Sequence, residues 1–435
     1  MELIIAEKPS VGKTIAAALG VREMKEGWLE GRGLIVTWCV GHLVELAMPE
    51  DYNPEYAHWR YKDLPIIPDT WKTNVTEANA KQFEIVSSLM NSDRVDAIIC
   101  ATDAGREGEL IFRLVYEKAG CRKPVRRLWI SSMEESAISE GFRQMKDIGA
   151  YDNLYRAALC RAQADWLIGM NATRLYSLLY GPTLHVGRVM TPTLAMLAER
   201  ESAIDQFRPE TFYNVRLNLG HGLSALSERF RDLGAARDLA DACNNSSAVI
   251  KSIEHKQRIE NPPRLYDLTA LQREANRLFG YTAQQVLEYA QALYEKKLIT
   301  YPRTESRFLT QDMASGMPDL AQSVLETLPF AGGLHLACHT DRIANDLKVS
   351  DHHAIVPTAS MPHQNTAVNA LIPGMRDILN MVSTQLLCAM DEPYIYDETT
   401  VTVSCAGHDF TVRGKQVVQM GWRRFREAFR GSLAG

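Results

Sequence analysis

Two stretches decide the fold: Glu2-Leu3-Ile4-Ile5-Ala6-Glu7-Lys8-Pro9-Ser10-Val11-Gly12-Lys13-Thr14, and Val95-Asp96-Ala97-Ile98-Ile99-Cys100-Ala101-Thr102-Asp103-Ala104-Gly105-Arg106-Glu107-Gly108-Glu109. Each opens on a short apolar run, the pattern of a strand buried on both faces. Each then turns helical: Ser10 to Leu19, with Ser10 as cap and Gly20 as stop, and Glu107 to Lys118. Strands alternating with helices predict an α/β domain with a mostly parallel sheet. The two strands end in acidic residues, and ligands of such sheets collect at the carboxyl ends of strands.

Gly12-Lys13-Thr14 after a strand invites a phosphate-loop reading. That signature needs a glycine five residues before Gly12, where this chain has Glu7, whose carboxylate would block the backbone cradle and repel phosphate. ATP binding is therefore rejected. What remains is a carboxylate with Lys8 and Lys13 nearby, which alone reads equally well as a solvated turn. The second strand end shifts that balance. Carboxylates as crowded as those between Asp103 and Glu109 repel one another unless a cation offsets them, and hard oxygen ligands of this kind suit Mg²⁺.

Outward from these stretches, the 435 residues allow about three domains. Apolar residues at 46% and charged residues at 23% exclude a disordered, collagen-like or coiled-coil chain. The net charge of -5, from 48 Lys plus Arg against 53 Asp plus Glu, confines any nucleic-acid surface to a local patch. Eight scattered cysteines with no C-x-x-C pair exclude a zinc ribbon. With neither a signal-peptide pattern nor a long apolar run, the expectation is a cytoplasmic protein without a membrane span.

Asp152 to Glu201 reads as helical and Arg-rich, broken at Gly181-Pro182. Phe207 to Ile259 reads as strand-rich, with Asn244 to Ser247 as a loop, and Asn261-Pro262-Pro263 is the clearest boundary. Two helices follow: Leu268 to Phe279, stopped by Gly280, and Thr282 to Lys296, opened by a Thr282-x-x-Gln285 capping box. Tyr394 to Val418 alternates like strands again, so the two strand-rich pieces are expected to share one sheet.

A Glu after one strand and Asp-x-Asp-x-Glu after another form the Toprim pattern, which this chain resembles with Glu7, Asp103 and Glu107 and departs from at Gly105, where the second Asp usually stands. Leu298-Ile299-Thr300-Tyr301-Pro302-Arg303-Thr304-Glu305-Ser306 resembles the nucleophile segment of type IA DNA topoisomerases, most closely the bacterial topoisomerase III group. Residues 161–174, 186–193 and 263–291 are similar to that family as well, as is Asp351-His352-His353-Ala354-Ile355-Val356-Pro357-Thr358, although Met190 replaces a usual Gln. The segment is physically sensible. Pro302 disfavours helical dihedrals at Tyr301, and Arg303 offers a planar fork to a phosphate.

The resemblance implies an α/β Toprim domain plus a multidomain α+β toroid-type topoisomerase architecture with a helical, CAP-like catalytic domain. The expected divisions are 1–150 for the Toprim metal-binding domain, 151–205 for part of a helical DNA-binding domain, 206–262 with 376–435 for a strand-rich gate, and 263–375 for the nucleophile domain. It implies a monomer that acts on single-stranded segments of negatively supercoiled or catenated DNA, with no membrane. Tyr301 would attack a backbone phosphorus and form a 5′-phosphotyrosyl enzyme. Glu7 would be the general acid for the leaving 3′-oxygen, with Lys8 and Arg303 as cations and His352 as a supporting donor. Glu7, Asp103 and Glu107 would hold Mg²⁺. Arg161, Arg174, Arg188 and Thr304 would contact DNA.

Family members normally continue well beyond the Gly421-Trp422 element. The final residues, with Arg423, Arg424, Arg426 and Arg430 beside Phe425 and Phe429, read as a basic helix left without its continuation, the end of a truncated product, a fragment or a minimal form. Two rivals stand beside the enzyme: a truncated non-catalytic single-stranded DNA-binding relative, and a Toprim primase or nuclease that needs Glu7 and Asp103 but not Tyr301.

Overall fold

The computed structural model describes residues 1–130, 133, 135–349, 352–364 and 368–433. Asp351 of the histidine motif lies outside the described residues. The chain divides into two compact units, each built from separated segments. The first comprises Met1–Arg200, Tyr266–Thr310 and Asn345–Val382; the second comprises Glu201–Leu265, Gln311–Ala344 and Ser383–Gly435. No described helix is long and apolar enough to cross a membrane.

The first unit is organised by a seven-stranded sheet. Its strands are β1 (Glu2–Ala6), β2 (Glu23–Lys25), β3 (Trp28–Gly31), β4 (Leu34–Trp38), β7 (Ala97–Ala101), β8 (Val125–Arg127) and β9 (Lys146–Asp147), while β5 (Val44–Leu46) and β6 (Thr73–Val75) pair separately. The order is β2-β3-β4-β1-β7-β8-β9, with β4, β1, β7 and β8 parallel. Ala6 sits level with Trp38 on one side and Ala101 on the other, so β1 and β7 end side by side. Glu7 and Asp103 therefore leave the same edge of the sheet, as the two acidic strand ends predict. Leu3, Ile5, Ile98 and Cys100 pack with Val86, Met90, Phe112 and Val115 into the core.

The helix after β1 is Pro9–Leu19, with Lys8 extended at its cap and Gly20 closing it in the left-handed region at φ 72°. Ser10 is thus not the cap. Pro9 takes the first turn, where its missing N–H costs nothing and its φ is preset. Gly12 faces the Trp38 ring so closely that a Cβ would lie 2.8 Å from Cε3. The Gly-Lys-Thr triplet lies inside this helix, where Gly12 is buried and Lys13 is exposed. After β7, the helix Arg106–Lys118 buries Leu110, Ile111, Phe112, Leu114 and Val115 and carries Glu107 and Glu109 in its first turn. The helix Asp152–Tyr180 ends at Gly181, and Met190–Asp205 follows, so the break at Gly181-Pro182 is observed. The helices Leu268–Phe279 and Ala283–Glu295 have the expected stop at Gly280 and the complete Thr282–Gln285 capping box.

The second unit holds a five-stranded antiparallel sheet of β10 (Arg216–Gly220), β11 (Leu223–Leu226), β12 (Val249–Glu260), β13 (Tyr394–Cys405) and β14 (His408–Gln419), in the order β10-β11-β14-β13-β12. The two strand-rich pieces do share a sheet. Ala406 and Gly407, at φ 50° and 78°, make the tight turn between β13 and β14. A helix that the strand-rich reading of Phe207 to Ile259 passed over, Leu233–Asn244, lays Ala236, Leu239 and Cys243 on Val403, Cys405 and Phe410. Its signal was local: Asp232 caps the Ala235 N–H, and the apolar residues recur at helical spacing. The terminal helix Arg423–Leu433 packs within the second unit. Phe425 and Phe429 are buried, Phe429 meets the Phe330 ring at 5.5 Å, and Arg424 is bidentate on the fully buried Asp391.

Candidate active site

The nucleophile segment runs antiparallel to the histidine motif. Thr300 donates its N–H to the Val356 carbonyl at 2.9 Å, its hydroxyl donates to the Ala354 carbonyl at 3.1 Å, and Ile299 bridges to Pro357. These bonds fix Tyr301 beside His352, their ring centroids 4.5 Å apart, with Tyr294 edge-on at 5.3 Å. The phenol of Tyr301 is 7% exposed and donates to Oδ2 of Asp103 at 3.1 Å. Asp103 in turn donates its backbone N–H to Oε2 of Glu7 at 3.2 Å. A tyrosine pointing into packed hydrocarbon would have ended the enzyme reading; this one points at a carboxylate.

A cleft of about 200 Å³ is lined by Glu7, Asp103, Glu107, Arg161, Tyr301, Arg303, Thr304 and His352 among others. Burial first, and then the Asp103 charge, push the Glu7 carboxyl up to about 7, against the opposing pull of Lys8 and Arg303. Burial, followed by the charges of Asp103 and Glu7, pushes the Tyr301 phenol far above the ordinary tyrosine range, while Arg303 opposes that rise. Burial lowers His352 to about 4, with the charges of His353 and Arg127 adding to it, so its imidazole is neutral at neutral pH. Its Nδ1 is buried without a hydrogen-bond partner. Thr304 donates to the His352 carbonyl at 3.3 Å and accepts from the Ser306 N–H, which engages its hydroxyl inside the protein.

The arginines divide. Arg161 reaches Glu107 at 3.4 Å and Asp165 at 4.0 Å, bordering the cleft, while Arg188 makes a two-pronged pair with the same Asp165 at 2.7 and 3.2 Å. Arg174 lies in a second groove with Trp59, Trp166, His185 and Met190. It is 5% exposed, donates to the Tyr56 carbonyl at 2.7 Å and stacks over Trp59.

Glu7, Asp103 and Glu107 share the cleft, but among the described residues no three His, Cys, Asp or Glu side chains converge as a metal cage. The Glu7 carboxyl is raised by burial first and then by the Asp103 charge, and a cation beside the two would oppose that second cause. Such a wall fits Mg²⁺, because that ion keeps several waters and takes one or two carboxylates together with phosphate oxygens. At Gly105, where the second Asp usually stands, a Cβ would lie 3.7 Å from His352 Nε2. That position faces the imidazole.

Two features were given no role by the sequence. Arg106 and Glu305 also line the cleft. Arg127 and Glu109, both wholly buried, pair beneath it. The signal for Arg127 was its place beside Val125 on the inward face of a period-two strand, where an apolar residue is the rule.

Comparison with known proteins matches residues 2–133 to the family described as Toprim domain and residues 149–430 to that described as DNA topoisomerase. DNA topoisomerase 3 of Bacillus licheniformis is 41% identical over an alignment that covers 97% of this chain and 59% of the relative. DNA topoisomerase 3 of Bacillus subtilis is 39% identical with the same coverage. The chain spans about three fifths of the length of these relatives. Full-length topoisomerase I from Thermotoga maritima superposes with a TM-score of 0.73 at 21% identity, covering 98% of this chain and 67% of that one, which establishes a shared fold.

Proposed function

Because the chain belongs to the type IA DNA topoisomerase family, we propose that it cleaves and rejoins single DNA strands through Tyr301, relaxing negative supercoils or separating catenated DNA without ATP. The observation that carries this reading is the hydrogen bond from Tyr301 to Asp103 inside a cleft that also holds Glu7, Arg303 and His352. The phenol oxygen attacks a backbone phosphorus. The bond from phosphorus to the 3′-oxygen breaks, leaving a 5′-phosphotyrosyl link and a free 3′-hydroxyl. Resealing is the reverse, so one ester replaces another at each step and no external energy source is needed.

The protons have places to go. A phenol pushed upward by burial keeps its proton at neutral pH, and Asp103 Oδ2 is set to receive it. A Glu7 carboxyl raised to about 7 holds a proton to give the leaving 3′-oxygen. Arg303 and Lys8 oppose the charge that develops on the phosphoryl oxygens, and neutral His352 is a further donor. Mg²⁺ bound at Asp103 and Glu107, with Glu7 nearby, would neutralise phosphate charge and favour resealing. Arg161 and Arg188 are assigned to the DNA backbone, exchanging Glu107 and Asp165 for phosphates, whereas Arg174, buried and spent on the Tyr56 carbonyl and the Trp59 ring, is a packing residue. The substrate is a single-stranded segment, and the working form is a cytoplasmic monomer.

Negatively supercoiled plasmid incubated with the protein and Mg²⁺ tests the proposal. A stepwise ladder of topoisomers is the expected result. Unchanged plasmid, or nicked circles that stay unsealed, would contradict it.

A further inference from the structure

Beneath the cleft floor lies a charge that the reaction above does not use. Arg127 is wholly buried on β8, and its guanidinium pairs with the equally buried Glu109 of the helix Arg106–Lys118. The rest of its fork is spent on carbonyl oxygens. Nη1 donates to Cys100 at 3.2 Å, Thr102 at 2.8 Å and Leu128 at 2.7 Å, and Nη2 donates to Asp103 at 2.8 Å. Two of those four carbonyls, those of Thr102 and Asp103, belong to the turn that leaves β7 and presents the Asp103 side chain to Tyr301.

A turn at a strand end has no sheet partner for its carbonyls, and an unpaired carbonyl in this interior is costly. A planar cation with five donors can satisfy several of them in one geometry; the ammonium of lysine cannot reproduce that fork. Glu109 fixes the guanidinium from the far side, so the turn is held between a helix and a neighbouring strand. We infer that Arg127, oriented by Glu109, is a positioning residue that sets the Asp103 carboxylate against the Tyr301 hydroxyl. It touches neither DNA nor the reacting atoms. This inference rests on the proposed cleavage chemistry for its consequence, but the geometry it claims can be read without that chemistry.

The test measures single-turnover adduct formation with a labelled single-stranded oligonucleotide, comparing wild type, Arg127→Lys and Glu109→Gln. A merely structural role lowers the amplitude, the share of folded molecules, and leaves the rate constant alone. Positioning lowers the rate constant by tenfold or more in Arg127→Lys while the oligonucleotide Kd stays within twofold. Glu109→Gln, which keeps the fork on its carbonyls, should lose less than Arg127→Lys. A rate constant for Arg127→Lys within twofold of wild type overturns the inference. The second measurement is the ¹³Cζ resonance of Tyr301 in tyrosine-labelled protein, assigned through Tyr301→Phe. In Arg127→Lys it should move in the direction produced by Asp103→Asn; an unmoved resonance overturns the inference even where wild type forms no adduct, an outcome that would count against the cleavage proposal instead.

Discussion

The phenol oxygen of Tyr301 lies 3.1 Å from Oδ2 of Asp103, although 198 positions separate the two residues in sequence. Their approach joins the nucleophile segment, pinned by Thr300 to the histidine motif, to the end of β7. Burial makes that contact matter. A buried phenol next to a carboxylate holds its proton tightly, so in the proposed reaction activation would depend on what accepts that proton and on what cations DNA binding would bring up.

Glu7 gives the first consequence. Its carboxyl is raised from about 4.5 to about 7, so the fold favours the protonated form. That stabilisation is whole below about 4.5 and lost as the pH rises through about 7, amounting at most to roughly 3 kcal/mol. Glu7→Gln should therefore gain on wild type in melting temperature between pH 5 and pH 8, and wild-type adduct formation should decline as the pH climbs past about 7. Melting curves that run parallel over that range would refute the assignment.

Gly108 gives the second. A Cβ there would sit 2.0 Å from the Asp103 carbonyl oxygen, and the Gly108 carbonyl already accepts from the Thr102 hydroxyl at 2.8 Å. Gly108→Ala must push the Asp103 turn away. A loss of about 1–3 kcal/mol in urea unfolding is expected, with reduced adduct formation by the folded protein. Wild-type stability and activity together would show that the turn has slack which the structure does not display.

In the second unit, Asp391 is wholly buried and held by Arg424 through contacts of 3.0 and 2.6 Å. Removing the cation strands a carboxylate in the interior. Arg424→Met should cost about 3 kcal/mol, whereas the exposed Arg430→Ala should stay within about 0.5 kcal/mol. Equal melting temperatures for the two variants would contradict this ranking.

What the sequence made legible was local. β1, the stops at Gly20 and Gly280 and the Thr282 capping box depend on residues within one or two turns of each other. The cap at Ser10 failed on equally local grounds, since Pro9 competes better for the first turn. The site was legible only as a roster. The family resemblance led to the expectation that Glu7, Asp103, Tyr301, Arg303 and His352 act in one reaction, but nothing in spacing told that Tyr301 would bond to Asp103 and not to Glu7. Arg127 was invisible for a related reason. Its value comes from the sheet order that lays β8 against β7, and its partner Glu109 sits on the helix between them.

The covalent link itself is the most direct test of the central claim. Protein is incubated with a 3′-labelled and, separately, a 5′-labelled single-stranded oligonucleotide, then denatured and resolved by size. The account predicts that the 3′-labelled fragment alone is carried on the protein, through its 5′-phosphate, and that Tyr301→Phe carries nothing. Adduct that persists in Tyr301→Phe, or label retained from the 5′-labelled strand, would contradict it.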